Sequence, residues 1–557
     1  MTGDSKDKTS EEITVNLAFL KKLNWKIVLL FLFLVLGVYL RCYHLNFPAI
    51  GYHNMKENEI MDQAVFFMNE GNFLHKQAFA FFGFDEGNAY HEEYGQAPLV
   101  PYMLFVLWSF FGKSLWLSRL LMILFFMGAI FVTYALTKKL SKNEYLSLLT
   151  AGLMTIMPLG IYFGRNVQVE PPALFFMVLA MFFYVRWIDE EKRKDIFYTA
   201  LFLGISALLK YTFMIAAIPM LFIFPYKKFI HSFLKERKQA MKDILYVVYG
   251  FIPMIIGVVV FEFLTMTNPS NRNYDFLFFR IFTPEYWSPR LPAVMSYIND
   301  NYSMLIFYIA IIGLLLSVLK FKTRFGKFMV GYSLAIIPYI SAISSKFAGH
   351  SYYQMPFLPL ICMLVAYVFF ITGSILKQST GSKWSFYFPL IILLFAIPSM
   401  QAANDRVFGT VFYGQDFLGE YLKTQMYPGE RFAAFTHSQD LATCSYSEHR
   451  CGFVTNITEF RRKEEFFDLR YVYVGAISVN DLVNGQDPLW QHIRQNYGIE
   501  MAGFMPYNGQ LTPSHFVLKK GSVFDLRDLE GKQPSLAKNY DTKLGEVPYY
   551  FILVQKS

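Results

Sequence analysis

Between Trp25 and about residue 400, apolar stretches of membrane-spanning length follow one another, and Lys and Arg gather in every second gap between them. The basic gaps hold Lys138, Lys139 and Lys142; Arg186, Lys192, Arg193 and Lys194; Lys227, Lys228, Lys235, Arg237, Lys238 and Lys242; Lys320, Lys322, Arg324 and Lys327; and Lys377 with Lys383. A chain written this way has little choice of architecture. Hydrocarbon offers no partner to a backbone N–H or C=O, so each stretch must close its own hydrogen bonds as a helix. Cytoplasmic loops collect Lys and Arg, so the alternation also orients every helix. It sends the acidic, His- and Tyr-containing gaps to the outer side.

The stretches fall near 25–41, 116–136, 145–163, 171–187, 196–210, 211–225, 243–263, 303–319, 328–345, 355–373 and 385–400. That makes roughly eleven spans at ~20 apolar residues each, some of them short or tilted. Pro98 to Gly112 is apolar as well, but if it spanned, every later basic cluster would face outwards. It is therefore expected to lie in the outer interface. The first stretch follows Lys21, Lys22 and Lys26 without a small-residue cleavage site after it, so it reads as an uncleaved span. Residues 1–24 are then a cytoplasmic tail, 25–400 a membrane domain whose first outer loop covers 42–97, and 401–557 a soluble extracytoplasmic domain. Apolar runs starting at Arg431, Tyr471 and Tyr549, with helical stretches at Asp416–Gln425 and Leu489–Tyr497, make that last domain α/β. The expected fold is a polytopic α-helical membrane protein carrying a C-terminal α/β domain.

Composition agrees: 54% of the 557 residues are hydrophobic, and Phe (60) and Tyr (37) suit lipid-facing helices and interfacial belts. The net charge of +9 sits mainly in the cytoplasmic gaps. It reads as orientation and attraction to anionic lipids, not as a nucleic-acid surface. Cys42 and Cys362 read as small packing residues. Cys444 and Cys451, close together in a domain placed outside the cytoplasm, are candidates for a disulfide. The triplets Asn301-Tyr302-Ser303 and Asn456-Ile457-Thr458 have the glycosylation pattern.

The outer gaps hold the reactive side chains. The first loop carries His53, Lys56, Glu57 and Glu59, then Asp85, Glu86, His91, Glu92 and Glu93. Glu57 or Glu59 can serve as a general base if burial raises its pKa. The second loop runs from Arg165 to Glu170-Pro171-Pro172, charges placed where charge is expensive. Lys210 interrupts an apolar pair of helices and needs a partner, for which a phosphate is a candidate. The third loop adds Arg272, Arg280, Glu285 and Arg290, and the fourth Lys346, His350, Tyr352, Tyr353 and Pro356. A carboxylate base beside cationic phosphate ligands at a membrane surface suits the transfer of a sugar from a lipid phosphate. Arg and Lys would stabilise the leaving phosphate while the carboxylate takes the acceptor's proton.

Four landmarks then resemble the C-type (GT-C) membrane glycosyltransferases of the protein O-mannosyltransferase and aminoarabinose transferase clan. They are Lys56-Glu57-Asn58-Glu59 after the first span; Gln96-Ala97-Pro98-Leu99 followed by Leu117-Ser118-Arg119-Leu120; Arg165 to Glu170-Pro171; and Lys346 with His350, Tyr352, Tyr353 and Pro356. The resemblance covers about residues 25–400. It implies inverting transfer from a polyprenyl-phosphate sugar to a protein, glycolipid or cell-envelope glycan, on the extracytoplasmic face of a plasma or endoplasmic reticulum membrane. It implies Glu57 or Glu59 as base, with Glu57 preferred, and Glu170 placing the acceptor or base. Arg165, Lys210, Arg280 and Lys346 would hold the phosphate, with His53, His350, Tyr352 and Tyr353 at the sugar or acceptor. A divalent metal on Glu57, Glu92 and Glu93 stays open, and no cofactor is demanded. Two positions depart from the pattern. Lys56 stands where the family's catalytic Asp is expected, and Gln96-Ala97 replaces a basic residue before Pro-Leu. A lipid or sugar transporter, and a non-catalytic protein of the same fold, are the alternatives; the absence of an internal repeat and the crowding of polar residues at the outer edge weigh against a transporter.

Overall fold

The computed structural model describes residues 24–71, 73–74, 81, 97–264, 280–436, 442–543 and 545–554. All eleven apolar stretches are helical, but their lengths differ. Among the described residues, six helices are long and apolar enough to cross a membrane: Leu115–Ser141, Glu170–Glu190, Arg237–Phe261, Arg324–Ile343, Ser351–Thr380 and Trp384–Gly409. Two bent pairs, Tyr211–Phe222 with Tyr226–Lys235 and Leu291–Tyr302 with Met304–Leu319, raise the number to eight if each counts as one span. The expected eleven is therefore not reached, because the remaining stretches fall short or break. Trp25–Arg41 and Arg193–Leu209 are 17 residues each. The stretch near 145–163 is divided at Met157, whose extended backbone precedes Pro158, as a residue before proline prefers. Leu99–Phe111, 13 residues long, is too short to span, in keeping with an interfacial helix.

Burial separates the centre of the bundle from its rim. Ser351–Thr380 buries 72% of its apolar window, whereas Arg237–Phe261 and Trp384–Gly409 bury 17% and 22%. The poorly buried helices present their apolar side chains outwards, as lipid-facing helices do.

After the helix Ile391–Gly409 the chain enters a seven-stranded sheet. Its strands are β1 (Arg431–Phe435), β2 (Arg450–Gly452), β3 (Tyr471–Val474), β4 (Tyr497–Tyr507), β5 (Gln510–Lys520), β6 (Ser535–Thr542) and β7 (Gly545–Leu553), in the order β2-β1-β3-β5-β4-β7-β6. β1 runs parallel to β2 and β3; every other pair is antiparallel. The unbroken apolar runs of β1 and β3 follow from burial on both faces. Ala433, Phe435, Val472 and Val474 join one core, with Phe460 and Ile493 from covering helices. The alternate residues Phe432, Ala434, Tyr471 and Tyr473 join another, which also contains Ile50 and is packed by Phe47 and Met55. This second face therefore docks on the first loop. Cys444 and Cys451 are joined by a disulfide.

Neither sequon reads simply. Asn301 is buried, and its amide donates to the Ser351 carbonyl at 2.9 Å and to Gln354 Oε1 at 3.0 Å, which leaves no room for a glycan. Asn456 caps the helix Ile457–Phe467, its Oδ1 accepting from Glu459 N at 2.9 Å.

Candidate active site

The site is built around the helix Asn54–Glu70. His53 leads into it with a left-handed backbone (φ 56°), and Gly71 (φ 66°) ends it, its N–H bonded to the Phe67 carbonyl. The helix is polar yet buried: Asn54, Glu57, Asn58, Glu59, Asp62 and Gln63 are all shielded from solvent. Desolvation on this scale is tolerated only with partners, and the partners come from distant segments.

Glu57 is fixed by Arg119, near the start of Leu115–Ser141. Arg119 Nε donates to Glu57 Oε1 at 2.8 Å and Nη2 to Oε2 at 2.7 Å, while the Val167 amide donates to Oε1 at 3.2 Å. Arg119 Nη1 also donates to the carbonyls of Leu45 and Phe47, at 3.0 and 2.6 Å. Burial pushes the Glu57 carboxyl up, but the charge and hydrogen bonds of Arg119 outweigh it and hold the group below the usual carboxylate range. Arg165 joins this group. Its guanidinium donates to the Tyr43 carbonyl and, at 3.1 Å, to that of His44, and it lies over the Phe408 ring at 5.2 Å. A small cavity of about 30 Å³ is lined by Glu57, Arg119, Arg165 and Lys543.

A second group adjoins the first at the start of the same helix. Glu59, 3% exposed, pairs with Lys56 at 2.7 Å. Facing them is the turn at residues 350–353. The His53 ring lies 5.0 Å from that of His350 and 5.2 Å from that of Tyr352, and Tyr352 stacks on Tyr353 at 4.8 Å. Lys210 sits over the rings of Tyr353 and Tyr352, at 3.9 and 4.8 Å, and forms a buried ion pair with Glu170. Both ring nitrogens of His53 and Nδ1 of His350 are buried without a hydrogen-bond partner. Burial, with His350 and Lys56 nearby, lowers the His53 pKa to about 3. Burial together with Lys56, Lys210 and Lys346 lowers that of His350 to about 4. Two neutral imidazoles thus stand beside three lysines, of which Lys56 and Lys210 are paired with Glu59 and Glu170.

The structure therefore divides the sequence-predicted residues. Glu59, Glu170, Lys210, His53, His350, Tyr352 and Tyr353 come together; Lys346 is exposed nearby and acts on His350. Glu57 and Arg165 form the neighbouring group. Lys210, expected to meet a phosphate, already has Glu170 as partner. Arg280 opens the short turn Arg280–Phe282, but its side chain lies outside the described residues, as do Glu92 and Glu93. Among the described residues no group of three or more His, Cys, Asp or Glu is placed to hold a metal, and both oxygens of Glu57 are taken by Arg119.

Asp62 escaped the sequence reading. It is buried on the same helix, accepts from Ser445 Oγ of the C-terminal domain at 2.5 Å, and is pushed up to about 7 by burial. Arg41 was also missed. Fully buried, it ties the first helix to the Gly160 carbonyl (2.8 Å) and lies over Phe126 at 4.4 Å. A charge at the end of an apolar stretch gives no sign from sequence of whether it faces water or protein.

Residues 95–256 match the dolichyl-phosphate-mannose-protein mannosyltransferase family. No curated protein matches the chain in sequence. Among solved structures, the chain is similar to the archaeal oligosaccharyltransferase AglB from Archaeoglobus fulgidus, in complex with an inhibitory peptide and a dolichol-phosphate. The TM-score is 0.55 at 12% identity, covering 88% of this chain and 74% of that one. It is likewise similar to ArnT from Cupriavidus metallidurans in the apo state (TM-score 0.54, 12% identity, 91% and 99% covered). The same holds for ArnT bound to undecaprenyl phosphate (TM-score 0.51, 13% identity, 89% and 97% covered). The chain is a multi-pass membrane protein with the fold of the C-type (GT-C) glycosyltransferases.

Proposed function

We propose that the protein transfers a sugar from a polyprenyl-phosphate donor to an acceptor hydroxyl on a protein, glycolipid or cell-envelope glycan, with inversion, on the extracytoplasmic face of the membrane. The observation that carries this reading is the meeting of Lys56, Lys210 and Lys346 with two neutral histidines, His53 buried and His350 half-buried, beside the carboxylates Glu59 and Glu170. Cations stabilise a leaving phosphate, and a carboxylate accepts the acceptor's proton. The acceptor oxygen attacks the anomeric carbon, the carbon–oxygen bond to phosphate breaks, and polyprenyl phosphate departs with the electron pair. The dolichol-phosphate and undecaprenyl phosphate named with the similar structures support a lipid phosphate as donor.

Within this reading Glu59 is the better base. The sequence reading preferred Glu57, but its bidentate pairing with Arg119 stabilises the charged form and makes it a poor proton acceptor; Glu57 anchors the helix instead. Lys56, in place of the expected Asp, puts a phosphate ligand beside the base. Glu170 holds Lys210 against the tyrosines, and Arg165 braces the Glu57 group. His53, His350, Tyr352 and Tyr353 line the sugar and acceptor side. The test is label transfer from a panel of radiolabelled polyprenyl-phosphate sugars to membranes containing the protein. Transfer that depends on Glu59 supports the reading; failure of the purified protein both to transfer from and to bind any polyprenyl phosphate overturns it.

A further inference from the structure

The helix Tyr226–Lys235 lies far from this chemistry. Lys228 pairs with Glu191, just past the end of Glu170–Glu190 remote from Glu170. At ~1.5 Å per residue that is about 30 Å from the candidate site. Its apolar residues Tyr226, Phe229, Ile230, Phe233 and Leu234 recur at i, i+3, i+4, i+7 and i+8, which places them on one face. No residue of this helix is buried; Ile230 and Leu234 are 55% and 76% exposed. Lys227, Lys228, His231, Ser232 and Lys235 take the other face. Between Tyr226 and Lys242 stand six Lys or Arg and a single acid, Glu236. Lys227, Lys235, Arg237, Lys238 and Lys242 are all exposed.

Geometry sets the orientation. The helix is bent by 80° from Tyr211–Phe222. If the preceding segment runs through the bilayer, this one runs along its surface. A short helix with an open apolar face and a basic opposite face suits the acyl–headgroup boundary, and its charge complements anionic headgroups.

We propose that Tyr226–Lys235 and the first turns of Arg237–Val258 form a membrane-surface foot that binds anionic phospholipid headgroups. The apolar face enters the acyl boundary, and the lysines and Arg237 contact lipid phosphates. This assignment is independent of the proposed transfer reaction.

The test places the full chain in nanodiscs of phosphatidylcholine with and without phosphatidylglycerol and follows amide hydrogen exchange over residues 226–242. Phosphatidylglycerol is expected to slow exchange there by at least about fivefold, the effect of a single basic contact. The slowing should vanish in the K227Q/K235Q/K238Q variant and in high salt, and persist in K227R/K235R/K238R. Exchange indifferent to phosphatidylglycerol, or equally slowed in the Gln variant, overturns the proposal. Equal slowing by inorganic phosphate in phosphatidylcholine discs would show a site for the free anion and overturn the lipid assignment.

Discussion

Glu57 and Glu59 are separated by one residue, yet the structure gives them opposite surroundings. Arg119 engages both Glu57 oxygens, while Glu59 shares one oxygen with Lys56 at the edge of the histidine pair. Glu59→Gln is expected to lower transfer by about 10²–10⁴-fold, the usual worth of a general base, without moving the melting temperature. Arg119→Met should instead destabilise the protein by about 3–5 kcal/mol, because it strands a buried carboxylate; thermal unfolding in detergent measures this. The histidines make a second prediction. Their pKa values lie near 3 and 4 in the folded state, below the ordinary 6.5, so unfolding takes up protons between those values. The stability this contributes is present above pH 6.5 and lost as pH falls towards 4. His350→Gln should flatten the fall in melting temperature over that window; an unchanged slope would mean the ring is not held neutral. At this scale the landmarks could be read from the chain, since each reactive residue sits in a short motif. The division of labour could not. Glu57 and Arg119 are 62 positions apart, and no local pattern announces that one acid is consumed by a distant guanidinium.

The helix Asn54–Glu70 is the element through which the parts of the molecule meet. Its start faces the turn at 350–353, and its middle is bonded to the C-terminal domain by Asp62 and Ser445, beside the Cys444–Cys451 disulfide. Burial raises the Asp62 carboxyl from 3.8 to about 7, so the folded state holds a proton that the unfolded chain releases. That contribution is complete below pH 3.8 and is lost as pH rises through 7. Asp62→Asn should therefore match wild type near pH 3.5 and be more stable than wild type near pH 8.5, by the order of a few kcal/mol; equal stability at both values would contradict a raised pKa. Hydropathy assigns this segment to an outer loop, whereas the chain forms the helix Asn54–Glu70 there. Its mixed polar composition lacks a clean apolar stripe, because both the bundle and the C-terminal domain bury it.

For the whole molecule, hydropathy and the placement of basic residues foretold the helices and their approximate positions, because hydrocarbon leaves the backbone no other solution. Among the described residues six to eight spans are long enough by length and composition, because proline and short helices break the apolar runs, as at Met157-Pro158 and between Phe222 and Tyr226. In the C-terminal domain the apolar strands were legible, but not that one sheet face packs on the first loop; Ile50 in that core joins segments hundreds of residues apart. The C-terminal domain packs on the segment holding Ile50, Met55 and Asp62, next to Lys56 and Glu59, while Lys228 of Tyr226–Lys235 pairs with Glu191 at the far end of Glu170–Glu190. The central claim is that a lipid phosphate sits among Lys56, Lys210 and Lys346, with the donor sugar towards His53 and His350. Photo-crosslinking a photoactivatable polyprenyl phosphate to the full-length protein, with mass-spectrometric mapping of the adducts, tests it most directly. Adducts within residues 53–59 and 346–353, lost in Lys56→Met, are the predicted result; adducts confined to other segments, or none that unlabelled polyprenyl phosphate competes away, would contradict it.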